Sequence, residues 1–75
     1  MKNKVKVQRA IHNLSQQQVA DAVHVSRQTI NAIETQRYYP SNVLSMRIAY
    51  FFKVPVEEIF SLEEDEKNDI IQVPD

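Results

Sequence analysis

An all-α domain follows from three features of this sequence. Between Lys4 and Ser61 the apolar residues recur every three or four positions with polar residues between them, the period of helices that bury one side. Serines that suit helix starts (Ser15, Ser26 and Ser41) stand just ahead of those apolar runs. A chain of 75 residues without a cysteine makes one domain at most, with a core held by packing alone.

Taken in order, the spacing predicts five helices. The first runs from about Lys4 to His12, with Val7, Ile11 and then Leu14 on one side. Ser15 opens the second, because Ser15 to Gln18 reads Ser-x-x-Gln, a capping box, and Val19, Ala20 and Val23 form its inner face. Ser26 caps the third, whose Ile30 and Ile33 point the same way. Residues 36 to 41 carry Pro40 and no apolar period, so they form a loop. Ser41 or Asn42 caps a fourth helix that contains Leu44, Ile48, Phe51 and Phe52. Pro55 starts a short fifth helix with Glu57 and Glu58 near its positive end and Ile59 and Phe60 facing inward. Glycine is absent, so Asn13 and His24 are the residues placed to take the left-handed conformation at helix ends. Beyond residue 61 an acidic tail, 62–75, ends in the apolar run Ile70 to Val73 and is expected to be extended or strand-forming.

Net charge is −1, but its distribution is uneven. Residues 1 to 53 hold eight basic and two acidic side chains, a balance of +6; residues 54 to 75 hold one basic and eight acidic, a balance of −7. Such a split suits a polyanion-binding part followed by an acidic tail. No apolar run reaches the ~20 residues that span a bilayer, and no signal-like stretch follows the basic N-terminus. With no cysteine as well, a cytoplasmic protein is expected. His12 and His24 stand alone, without the partners a metal site needs. There is no glycine-rich phosphate loop and no nucleophile–base pair, so neither an enzyme, a cofactor nor a small-molecule ligand is indicated.

Residues 16 to 35 form a unit of twenty. Two helices crossing through a tight turn need apolar residues at positions 4, 8, 10, 15 and 18 of that unit, here Val19, Val23, Val25, Ile30 and Ile33. They also need a small residue at position 5, here Ala20, where the backbones approach. No single helix produces this spacing; it is the pattern of a helix-turn-helix. The run from Leu14 to Glu34 resembles the Cro/cI-type (XRE family) helix-turn-helix regulators, especially their small stand-alone bacterial and phage members. Ser26-Arg27-Gln28-Thr29-Ile30-Asn31 is the most specific stretch. The similarity continues through Arg37 to Ser41, Arg47 to Ala49 and Val54 to Phe60, so it covers roughly residues 3 to 61. It implies a compact five-helix, lambda repressor-like DNA-binding domain at 1–61, operator binding as a homodimer, and a role as repressor or occasionally activator. Relatives usually carry glycine where this chain has Asn13, His24 and Gln36, and leucine where it has Gln8 and Asn42.

The helix 27–35 is then expected to enter the major groove of double-stranded DNA. Ser26, Arg27, Gln28 and Asn31 lie on or beside its outer N-terminal face, and Arg, Gln and Asn have the donors and acceptors that read base edges. The N-terminus of the second helix should face a phosphate, and the resemblance supports Gln16, and less directly Gln17, as phosphate contacts. Arg37, Tyr39 and Asn42 sit in or beside the loop that would meet the backbone across the groove. Tyr50, Phe51 and Phe52 are consecutive and cannot all face one core; with Phe60 and Leu62 they are the candidates for a dimer interface. Within the same class, an antitoxin or a restriction-system controller protein is the alternative; outside it, a protein-interaction module with no sequence preference for DNA.

Overall fold

The computed structural model describes residues 1–74, in which helices are the main regular structure. These are α1 (Val5–Ile11), α2 (Gln16–Val23), α3 (Arg27–Glu34), α4 (Asn42–Phe52), α5 (Val56–Ile59) and α6 (Glu64–Asn68). Two strands of two residues each, β1 (Lys2–Asn3) and β2 (Phe60–Ser61), pair antiparallel with Lys2 opposite Ser61 and Asn3 opposite Phe60.

The helix starts follow from their caps. The Ser15 hydroxyl accepts from the Gln18 N–H while the Gln18 side chain accepts from the Ser15 N–H, a complete capping box. Ser26 accepts from the Thr29 N–H, and Ser41, not Asn42, accepts from the Leu44 N–H. Pro55 precedes α5, whose first turn carries Glu57 and Glu58.

The helix ends share one device. Asn13, His24, Gln36 and Lys53 all have positive φ, between 56° and 64°. After each, the next residue donates its N–H to the carbonyl five residues back: Leu14 to Arg9, Val25 to Ala20, Arg37 to Ala32 and Val54 to Ala49. This is the long bond of the Schellman motif, made here four times without glycine. Leu14, Val25 and Val54 then pack against the core; Arg37 does not.

Val5, Val19, Ala20, Val23, Ile30, Ile33, Leu44, Ile48, Ala49, Phe52, Ile59 and Phe60 form that core. α1 is turned differently from the sequence expectation. Val5 is fully buried, but Val7 and Ile11 are 53% and 66% exposed. Val5 and Arg9 lie one turn apart on the face that meets α3, which leaves Val7 and Ile11 on the opposite side. Beyond β2 the chain forms α6 before an irregular, exposed segment at residues 70–74.

Candidate nucleic-acid interface

α2 packs chiefly on α3, with Val19 and Ala20 of α2 fully buried in one core cluster with Ile30 and Ile33 of α3. All six positions of the twenty-residue unit are occupied as the spacing requires, five of them buried and Val25 half-buried. Because Ile30 and Ile33 face the core, the opposite side of α3 is left outward. Ser26, Arg27 and Gln28 are exposed there and Asn31 is half-buried.

Arg27, Gln28, Asn31 and Arg37 line one shallow depression of about 140 Å³, and no acidic group borders it. Arg37 folds back along α3. Its Nε donates to Thr35 Oγ1 at 2.9 Å and its Nη2 to Asn31 Oδ1 at 3.2 Å. Ser26 is held by its cap and by a hydroxyl–hydroxyl bond to Thr29 at 2.9 Å. The sequence places Arg37 in the loop expected to meet the backbone across the groove; in the structure its side chain lies against Asn31 of α3.

Gln16 opens α2 but its amide is already engaged, donating to Glu34 Oε1 at 3.1 Å. One amide hydrogen remains for another acceptor. Gln17 donates to Asp21 at 2.8 Å, one helical turn along. Tyr39 is exposed within the loop and Asn42 is exposed as the first residue of α4.

The residue that holds this frame is one that sequence reasoning missed. Arg9 reaches Glu34 with two donors, Nε to Oε2 at 2.8 Å and Nη2 to Oε1 at 3.0 Å, while its Nη1 donates to the Leu14 carbonyl at 3.0 Å. The pair ties α1 to the end of α3, and through Gln16 to the start of α2. Burial opposes ionisation of Glu34, but hydrogen bonds from Arg9 and Gln16 and the charges of Arg9 and Lys6 outweigh it, so its carboxyl titrates below the usual range. The Arg9 guanidinium is correspondingly held charged, its hydrogen bond to Glu34 outweighing burial. The available signal was that Glu34 is one of two acids in the first 53 residues.

Of the interface candidates, Phe52 and Phe60 prove to be core residues, 4% and 8% exposed, and have almost no surface to offer a second chain. Phe52 is stacked with His12, centroids 5.7 Å apart, and meets Phe51 in a T-shaped pair at 5.0 Å. Tyr50 is 86% exposed and Leu62 is also exposed. Tyr50 lies with Val43, Met46 and Phe51 along a groove of about 700 Å³ between α4 and the end of α2. Among the described residues no three His, Cys, Asp or Glu side chains gather as metal ligands, and no helix is long and apolar enough to cross a membrane.

The helix-turn-helix family model matches residues 5–59. An HTH-type transcriptional regulator of Methanocaldococcus jannaschii is 54% identical over 66 residues, covering 88% of this chain and 100% of that protein. The HTH-type transcriptional regulator YgzD of Bacillus subtilis is 45% identical over 87% of this chain and 98% of its own length. A regulator of the same description from Archaeoglobus fulgidus is 38% identical, with 88% and 93% covered. The matched span begins at α1 and ends with α5, so it takes in the buried frame and the exposed α3 face together. The chain belongs to the Cro/cI-type (XRE) family of helix-turn-helix transcriptional regulators.

Proposed function

We propose that this protein is a transcriptional regulator that binds DNA sequence-specifically, with α3 in the major groove, and represses as a homodimer on an inverted repeat. Residues 1–61 carry that activity and the acidic segment 62–75 takes no part in DNA contact. The observation that carries the reading is the exposed N-terminal face of α3, where Arg27, Gln28 and Asn31 stand together with no acid beside them. Arg matches guanine O6 and N7, and Gln reads adenine N6 and N7. The names of the relatives, each an HTH-type transcriptional regulator, support the regulatory role. Repression needs no further surface, since a bound dimer excludes other proteins from the DNA it covers.

Mobility shifts on fragments of the source genome, followed by footprinting of the retained ones, test this. The expected result is two protected half-sites about one helical turn, roughly 34 Å, apart. Equal retention of every fragment at moderate salt would leave only backbone attraction and sink the sequence-specific reading.

A further inference from the structure

We propose that Arg37 is a specificity-determining residue, which holds the Asn31 amide oxygen and so turns Asn31 from an adenine reader into a guanine reader. The inference rests on the reading that α3 enters the major groove.

An asparagine side chain has one acceptor, Oδ1, and two donor hydrogens on Nδ2. To read adenine it uses both kinds, accepting from N6 and donating to N7. Here Oδ1 already receives Arg37 Nη2 at 3.2 Å. That bond takes one of the two lone pairs of Oδ1 and sets a guanidinium charge beside the other. A second donor such as adenine N6 is thereby disfavoured, so Asn31 offers chiefly its N–H pair.

Arg37 is not loosely placed. Gln36, at φ 61°, turns the chain back on α3, and the Arg37 N–H is fixed on the Ala32 carbonyl at 2.8 Å. Its Nε is held by Thr35 Oγ1 at 2.9 Å, and that hydroxyl donates in turn to the Asn31 carbonyl at 2.9 Å. The position has a telling counterpart at the other helix ends. There the residue after the left-handed one is Leu14, Val25 or Val54, each packed on the core. At the end of α3 alone it is a cation, and it lies on the outward face.

The depression between Arg27, Gln28, Asn31 and Arg37 is therefore rich in donors. Guanine offers two acceptors on its major-groove edge, N7 and O6. Adenine offers N7 beside the N6 donor, which would meet the Asn31 N–H head on. Cytosine offers a donor alone, and thymine one acceptor, O4, beside a methyl group, so it can use only one of the two N–H donors. Guanine is the base that satisfies this set.

Selection of bound sites from random-sequence DNA tests the inference, using the full chain, Asn31→Ala, Arg37→Met and Thr35→Ala. Asn31→Ala identifies the base pair under Asn31 as the one whose preference disappears. The unaltered chain should enrich guanine there. Arg37→Met frees Oδ1 and should raise the adenine-to-guanine ratio at that position about tenfold, leaving other positions unchanged. Thr35→Ala keeps the charge of Arg37 but removes its anchor, and should move the ratio the same way. Adenine in the unaltered site overturns the inference, as does uniform weakening by Arg37→Met with guanine retained, which would mark Arg37 as a phosphate contact. A chain that enriches no sequence at all would overturn the DNA-reading proposal itself, a result distinct from the other two.

Discussion

Arg27 and Gln28 occupy the first turn of α3 with their side chains in solvent, so neither contributes measurably to the fold. Replacing either by alanine should leave the melting temperature unchanged and cost about 1–3 kcal/mol at the matched operator. A base contact favours one sequence, whereas a phosphate contact favours all. Titration against single-base operator variants separates the two, and equal losses on every DNA would count against base reading. Glu34 is the opposite kind of residue, structural and pH-sensitive. Its folded carboxyl titrates below the unfolded value. The stability it contributes is therefore complete above the unfolded value, about pH 4.3, and is lost as pH falls through the lowered folded one. Glu34→Gln should flatten the acid limb of stability against pH. Glu34→Ala leaves a partly buried guanidinium with only its bond to the Leu14 carbonyl and should cost about 1–3 kcal/mol. Denaturant unfolding between pH 3 and 7 measures both. An acid limb identical to that of the unaltered chain would mean that the Arg9 pair contributes nothing.

Among the elements, the helix ends show what sequence can and cannot reveal. Asn13 and His24 were recognisable because they fall where apolar periods stop, and both types tolerate positive φ. Lys53 was not, since nothing in a lysine marks a left-handed turn; the backbone takes that form because Val54 must return its N–H to Ala49. A non-glycine residue there costs roughly 1–2 kcal/mol, partly offset by the roughly 0.5–1 kcal/mol that glycine loses in chain entropy. Lys53→Gly and Gln36→Gly should therefore each raise stability by up to about 1 kcal/mol, a few degrees in a thermal melt. A drop in both melts would contradict the left-handed assignment. The α2–α3 unit was fully legible because its spacing belongs to two helices and no single one. Ala20 is 0% exposed where they meet, so Ala20→Leu should cost about 1–3 kcal/mol through overpacking. The facing of α1 was illegible for the converse reason. Its orientation depends on a polar bridge from Arg9 across 25 residues to Glu34, and apolar periodicity does not register such a bridge. For the outer face of α3, sequence named the residues but not their hydrogen bonds, so the tie between Arg37 and Asn31 emerged from the structure alone.

At the scale of the molecule, the proposed function raises the problem of how a face with few side chains able to read bases would select one operator. One recognition helix meets only a few base pairs, and a two-fold pair doubles the site. Burial narrows where the proposed pair can form. Phe52 and Phe60 are spent on the core, whereas Val43, Met46 and Tyr50 repeat at three- and four-residue intervals on the uncovered side of α4. An apolar stripe of this kind, rimmed by Arg47 and Lys53, is the kind of surface an association buries. Tyr50→Asp should therefore dissociate the proposed dimer without unfolding the chain, because Tyr50 is 86% exposed and touches little of its own protomer. Light scattering at micromolar concentration should then report a monomer, and footprinting should show much weaker protection of both half-sites. The acidic segment provides a control. Glu and Asp near phosphates repel them, so truncation after Leu62 should strengthen nonspecific binding at low salt and lose that effect as salt rises. Should truncation instead abolish the dimer while Tyr50→Asp leaves it intact, the interface lies beyond β2 and not on α4. A persistent monomer that protects a single half-site would refute the two-fold arrangement and still leave α3 as the reading element.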